Sequence, residues 1–190
     1  MLFGDSIIAG YGLEKEDSLS VKLEVALKND GYNVEVINGG VSGDTTSSGR
    51  SRLEWTLKKH QPDIVLLALG GNDILRGFSS ELTKKNLDAM LSMLKEKNVQ
   101  VILSKVQAPL NLGIEYKQKF DPIYSDLADK YNLPLYSFLL ENTFGNKSLM
   151  QSDQIHPNAE GIKIIAKGLR KYLAGHLKNK TSLETSRELN

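Results

Sequence analysis

Residues Asp63 to Leu69 read DIVLLAL. After the aspartate every side chain is apolar, so a strand built from this run leaves neither face polar. A continuous apolar run of this length, bounded by turn residues, is how a strand buried on both faces of a parallel sheet reads. Pro62 and Gly70-Gly71 supply the boundaries. Such a strand needs helices above and below it.

The rest of the chain supplies them in alternation with further strands. Residues 1–3 form the end of a first strand. Asp17-Ser18 caps a helix with the stripe Leu19, Leu23, Ala26 and Leu27, stopped at Gly31. Val34 and Val36 mark a second strand. A helix over 47–60 turns Leu53 and Leu57 inward and ends at Pro62. Leu87, Met90, Leu91 and Leu94 lie on one helical face and read as core. Val99–Leu103 is a fourth strand. One helix carries Tyr116, Phe120, Ile123, Tyr124 and Leu127. Leu133–Phe138 is a fifth strand, and the last helix presents Ile162, Ile165, Ala166, Leu169 and Leu173. The expectation is one three-layer α/β domain over 1–177, followed by a polar tail over 178–190 that frays.

The 190 residues suit one core. With 24 basic and 23 acidic side chains the net charge is +1, and no basic stripe offers itself to nucleic acid. The chain has no cysteine, which excludes disulfides, zinc–thiolate sites and cysteine nucleophiles. No apolar run approaches the ~20 residues that span a bilayer. Met1-Leu2-Phe3 runs straight into Gly4, a stub against the usual ~5–6 residues of a strand. Residues upstream, a signal peptide among them, are therefore expected. In that case the periplasm or the exterior is the expected compartment, and otherwise the cytoplasm.

Four short motifs each follow a different strand. Gly4-Asp5-Ser6 follows the first, Ser42-Gly43-Asp44 the second, Gly70-Gly71-Asn72-Asp73 the third, and Asp153-Gln154-Ile155-His156 the fifth. Loops at the carboxyl ends of parallel strands build the ligand crevice of an open α/β sheet. There the residue types answer one chemistry. Ser6 is a nucleophile that needs a base. His156 is that base, since imidazole titrates near neutral pH. Asp153 orients the imidazole from the same loop. The backbone N–H groups of Ser6 and Gly43 and the Asn72 amide are donors for an oxyanion. Asp5, Asp44 and Asp73 read as caps or loop braces, and His60 and His176 as residues near helix C-termini.

The chain resembles the SGNH hydrolases, also called the GDSL esterase/lipase family, from residue 4 to about 175. Ser6, Gly43, Asn72 and His156 match the family's four marker positions, with Asp153 as third triad member. GDSIIAGYGL at 4–13, NGGVSGDTTSSGRSRL at 38–53, LGGNDILRG at 69–77 and DQIHPNAEG at 153–161 are similar to the thioesterase/lysophospholipase/arylesterase subgroup. The resemblance implies a flavodoxin-like, five-stranded parallel sheet of order 2-1-3-4-5. It also implies hydrolysis of acyl esters or thioesters, such as aryl esters, lysophospholipids and acyl-CoA, with no cofactor and no metal. The chain departs from the family where most of the first strand is missing. Gly-x-Ser-x-Gly does not occur around Ser6, so the serine is expected at the opening of a loop or helix, in an exposed cleft.

Leu75, Phe78, Pro109, Leu110 and Leu112 are the candidate walls for an acyl chain, on the loops 74–80 and 105–114. Three other functions share these residues. One is a carbohydrate O-acetyl esterase of the same family. Another is a metal-dependent phosphoesterase using Asp5, Asp44, Asp73 and His156. The last is a non-catalytic acyl- or carbohydrate-binding module. The oligomeric state is not readable from the sequence.

Overall fold

The DIVLLAL run divides its side chains between two cores. In a computed structural model, which describes residues 1–187 and their side chains as far as Leu177, it forms β3 (Ile64–Ala68). Val65, Leu67 and Leu69 enter one apolar cluster, and Leu66 and Ala68 the other. That split follows from the two-residue period of a strand. β1 (Leu2–Gly4), β2 (Asn38–Gly40), β4 (Gln100–Ser104) and β5 (Leu135–Tyr136) complete a parallel sheet of order β2-β1-β3-β4-β5.

The first cluster is closed by α3 (Thr46–His60), α5 (Ser80–Glu96), α6 (Ile114–Phe120) and α7 (Pro122–Tyr131). The second is closed by α1 (Ser6–Ala9), α2 (Leu19–Asn29) and α8 (Ala159–Arg187). A short α4 (Gly71–Leu75) follows β3. Among the described residues, no helix is long and apolar enough to cross a membrane.

The stub at the amino end occupies the sheet's centre. Leu2, Phe3 and Gly4 pair with β2 on one side and with β3 on the other, and Leu2 and Phe3 are buried. The second strand begins later than expected, because Leu2 pairs with Asn38 and, among the described residues, no strand faces Val34 or Val36. Glu24 of α2 instead accepts the Val36 N–H at 2.7 Å. The fifth strand contracts to two residues, where β4 offers partners only at Leu103 and Ser104.

The single helix expected over 116–127 breaks in two. Pro122 has no N–H to continue α6, and it sits instead at the start of α7. Ser18 stands at the head of α2 without capping it, since its hydroxyl donates to the Lys15 carbonyl at 2.7 Å. His176 lies inside α8 rather than near its end. The polar tail expected over 178–190 overlaps the last turns of α8, and its side chains lie outside the described residues.

Candidate active site

Ser6 opens α1. Asp5 caps that helix, its Oδ1 accepting the Ile7 N–H at 3.1 Å. Ile8, two residues on, is fully buried in the core shared by α2 and α8, which anchors the short helix. Ser6 itself remains partly open. The first N–H groups of a helix have no partner within it, and Ser6 stands at the first position of α1.

The loop after β5 brings His156 to this serine from 150 positions away, with Nε2 2.8 Å from Ser6 Oγ. On the other side of the ring, Nδ1 lies 2.6 Å from Asp153 Oδ2. Asp153 Oδ1 accepts the backbone N–H groups of Ile155 at 2.9 Å and His156 at 3.0 Å. This tight turn passes through Gln154 at φ 57°. The bond from the His156 ring, followed by the two backbone N–H groups, lowers the Asp153 carboxyl to about 2. An ionised carboxylate only accepts, so the imidazole proton belongs on Nδ1 and the Nε2 lone pair faces the serine hydroxyl.

Two residues outside the predicted set steady this loop. Gln151 Nε2 donates to the Pro157 carbonyl at 3.0 Å and to the Tyr11 carbonyl at 2.8 Å. The Tyr11 ring lies 4.6 Å from the imidazole, centroid to centroid, at 39°.

The donor side is built from the loops after β2 and β3. Gly43 stands at φ 84°, where a side chain is strained. Asn72 lies on α4, and its Nδ2 donates to the Asp44 carbonyl at 2.8 Å. That bond uses one amide hydrogen and orients the other. Arg76 Nη2 donates to the Gly43 carbonyl at 2.9 Å. Gly70 enters α4 at φ 125°, and a Cβ there would overlap the Tyr124 hydroxyl.

The three aspartates beside these motifs have structural partners. Asp73 is fully buried and accepts from the Thr46 N–H at 2.8 Å, the Thr46 hydroxyl, and the Thr83 hydroxyl at 3.2 Å. Asp44 accepts from Ser48 Oγ at 2.7 Å and Arg52 Nε at 2.6 Å. Asp5 is buried, and loss of water raises its carboxyl to about 6 against the bond from Ile7 and the pull of His156. No group of three or more His, Asp or Glu is arranged to hold a metal ion among the described residues.

With this arrangement in view, the likeness to known proteins is extensive. The model of the GDSL-like lipase/acylhydrolase family matches residues 2–164. The chain belongs to that family. An arylesterase of Vibrio mimicus is 38% identical over 177 residues, covering 93% of this chain and 88% of the relative. Thioesterase 1/protease 1/lysophospholipase L1 of Escherichia coli K12 is 37% identical over 175 residues, 91% of this chain and 82% of the relative. The psychrotrophic esterase EstA from Pseudoalteromonas sp., in a crystal structure inhibited by monoethylphosphonate, superposes with a TM-score of 0.89 at 28% identity, covering 93% and 97% of the two chains. As a member of this esterase family the chain is a hydrolase acting on esters.

Ser6, His156 and Asp153 thus join in one hydrogen-bonded line, and Gly43 and Asn72 stand on the loops after β2 and β3. Leu75 follows Asn72 by one helical turn on α4 and is 66% exposed. Phe78 is half-buried, and its carbonyl accepts the Tyr116 hydroxyl at 3.0 Å. Pro109, Leu110 and Leu112 are exposed on the loop before α6. That loop is tied to Asp121 through Ala108. Among the described residues, no hydrogen bond or ring contact joins it to Ser6, Gly43 or His156.

Arg52, Arg76, Gln151 and Tyr11 went unnoticed in the sequence. Arg52, Arg76 and Tyr11 carried one available signal, since they fall within the stretches 38–53, 69–77 and 4–13 that resemble the family.

Proposed function

We propose that the chain is a serine esterase/thioesterase that hydrolyses acyl esters and thioesters through an acyl-enzyme on Ser6. The unbroken line from Asp153 through His156 to Ser6 Oγ carries this reading. Oγ attacks the acyl carbon as its proton passes to His156 Nε2. The Ser6 and Gly43 N–H groups and the free Asn72 amide hydrogen stabilise the oxyanion. The tetrahedral adduct collapses, His156 protonates the departing alkoxide or thiolate, and Ser6 retains the acyl group. Water then attacks the acyl carbon with its proton passing to Nε2. Return of that proton to Oγ releases the acid and restores the serine.

The names of the relatives, arylesterase and thioesterase 1/protease 1/lysophospholipase L1, support a range of leaving groups. Leu75, exposed one turn from Asn72, is the proposed first contact for an acyl chain.

Turnover of a p-nitrophenyl acyl ester tests the reading. Ser6→Ala folds and loses about 10³-fold or more of kcat, and a fluorophosphonate labels the unsubstituted chain but not this variant. Undiminished turnover by Ser6→Ala sinks the proposal. Activity that disappears with a chelator and returns with a divalent cation favours the phosphoesterase alternative instead.

A further inference from the structure

We infer that Arg52 is a positioning residue whose single guanidinium sets the three oxyanion donors in register. Arg52 lies on α3, with a side chain only 20% exposed. Its Nε donates to Asp44 Oδ2 at 2.6 Å. Its Nη2 donates to the Gly4 carbonyl at 3.1 Å and to the Gly39 carbonyl at 2.8 Å. The guanidinium plane also rests on Phe3, 4.0 Å from the ring centroid.

Each contact leads to a different donor. Gly4 ends β1 and is joined through Asp5 to Ser6. Gly39 lies in β2, from which the Gly43 loop departs. Asp44 follows Gly43 directly, and its backbone carbonyl takes the bond that orients Asn72. The Asp44 side chain is 7% exposed and receives a second bond from Ser48. A planar fork of donors suits this work, since it meets several fixed acceptors in one geometry where an ammonium acts as a point charge. Oxyanion donors act only when they stand where the charge develops, so small displacements of these loops weaken the transition state more than the ground state.

This inference rests on the Ser6 reading above. Its test uses the full chain and a p-nitrophenyl acyl ester. Arg52→Lys keeps the charge and loses the fork. Its kcat falls about 10-fold or more while KM stays within about 2-fold. Asp44→Asn behaves likewise. Combining Arg52→Lys with Asn72→Ala gives a loss smaller than the product of the two single losses, because both act on one donor. A kcat within about 2-fold of the unsubstituted chain, a loss confined to KM, or fully multiplying losses overturns the role of Arg52. If Arg52→Lys does not fold, Asp44→Asn and its combination with Asn72→Ala carry the same outcomes. Ser6→Ala in the same assay separates the two claims. Turnover surviving in Ser6→Ala strikes the nucleophile itself, whereas an inactive Ser6→Ala beside an unimpaired Arg52→Lys strikes only the positioning.

Discussion

Asp153 and His156 stand three positions apart in one turn, and the carboxylate takes its bonds from that turn: the His156 ring at 2.6 Å and the backbone N–H groups of Ile155 and His156. The acid is thus fastened by backbone before it orients the base. Asp153→Asn preserves the shape but can donate towards Nδ1 and favour the wrong tautomer. Its kcat is expected to fall about 10²–10⁴-fold with a small change in KM, read from steady-state hydrolysis of a p-nitrophenyl ester.

The same bonds have a pH consequence. Asp153 is lowered from its ordinary 3.8 to about 2, so the turn binds the charged form more strongly than the unfolded chain does. Its contribution to stability is complete above pH 4 and disappears as the pH falls towards 2. Across the neutral range Asp153 stays ionised and remains an acceptor for the His156 ring. Asp153→Ala is expected to flatten the stability profile between pH 4 and 2, measured by urea unfolding.

Asp5 behaves in the opposite sense. Burial raises its carboxyl from 3.8 to about 6, with Asp44 adding to the rise and His156 opposing it. The folded state therefore holds the proton more tightly, and stability declines as the pH climbs from about 4 to 6. Above that window the charged form costs about 3 kcal/mol. Asp5→Asn still offers an acceptor to the Ile7 N–H. Relative to the unsubstituted chain its Tm is expected to rise more at pH 7.5 than at pH 4, which parallel thermal melts check. An equal difference at both pH values would falsify this.

Tyr11 covers the imidazole with its ring. Tyr11→Phe retains that face and is expected to keep activity within about 2-fold. Tyr11→Ala uncovers the ring and loosens the loop, and kcat is expected to fall about 3–10-fold. The pair of variants, assayed side by side, separates the ring from the hydroxyl.

Gly70 tolerates no side chain. At φ 125°, with the Tyr124 hydroxyl occupying the space a methyl group would need, Gly70→Ala combines backbone strain with overlap. Tyr124 cannot retreat freely, since it is fully buried and donates to the Leu69 carbonyl at 2.8 Å. A loss of about 2–5 kcal/mol is expected in denaturant unfolding.

The local sequence determined the layers and the motifs. Apolar period and unbroken runs depend on neighbouring residues, so DIVLLAL specified a doubly covered strand and the stripes of α2, α5 and α8 specified their buried faces. Ser6, Gly43, Asn72, Asp153 and His156 could be singled out because each sits in a short motif after a strand. The meeting of Ser6 with His156 was a tertiary matter. Ser6 Oγ and His156 Nε2 are 150 positions apart, and only the packed sheet edge brings them to 2.8 Å. The lengths of β2 and β5 likewise depended on what the adjacent strand offered, not on their own valines and leucines. Pro109, Leu110 and Leu112 could be named as candidate walls from their place in the loop 105–114, but a loop's position relative to the site is set by what anchors it, here Asp121. Arg52 shows the limit most clearly. On α3 it reads as one more basic helix residue, and its reach to Gly4, Gly39 and Asp44 exists only once β1, β2 and the loop after β2 converge on it.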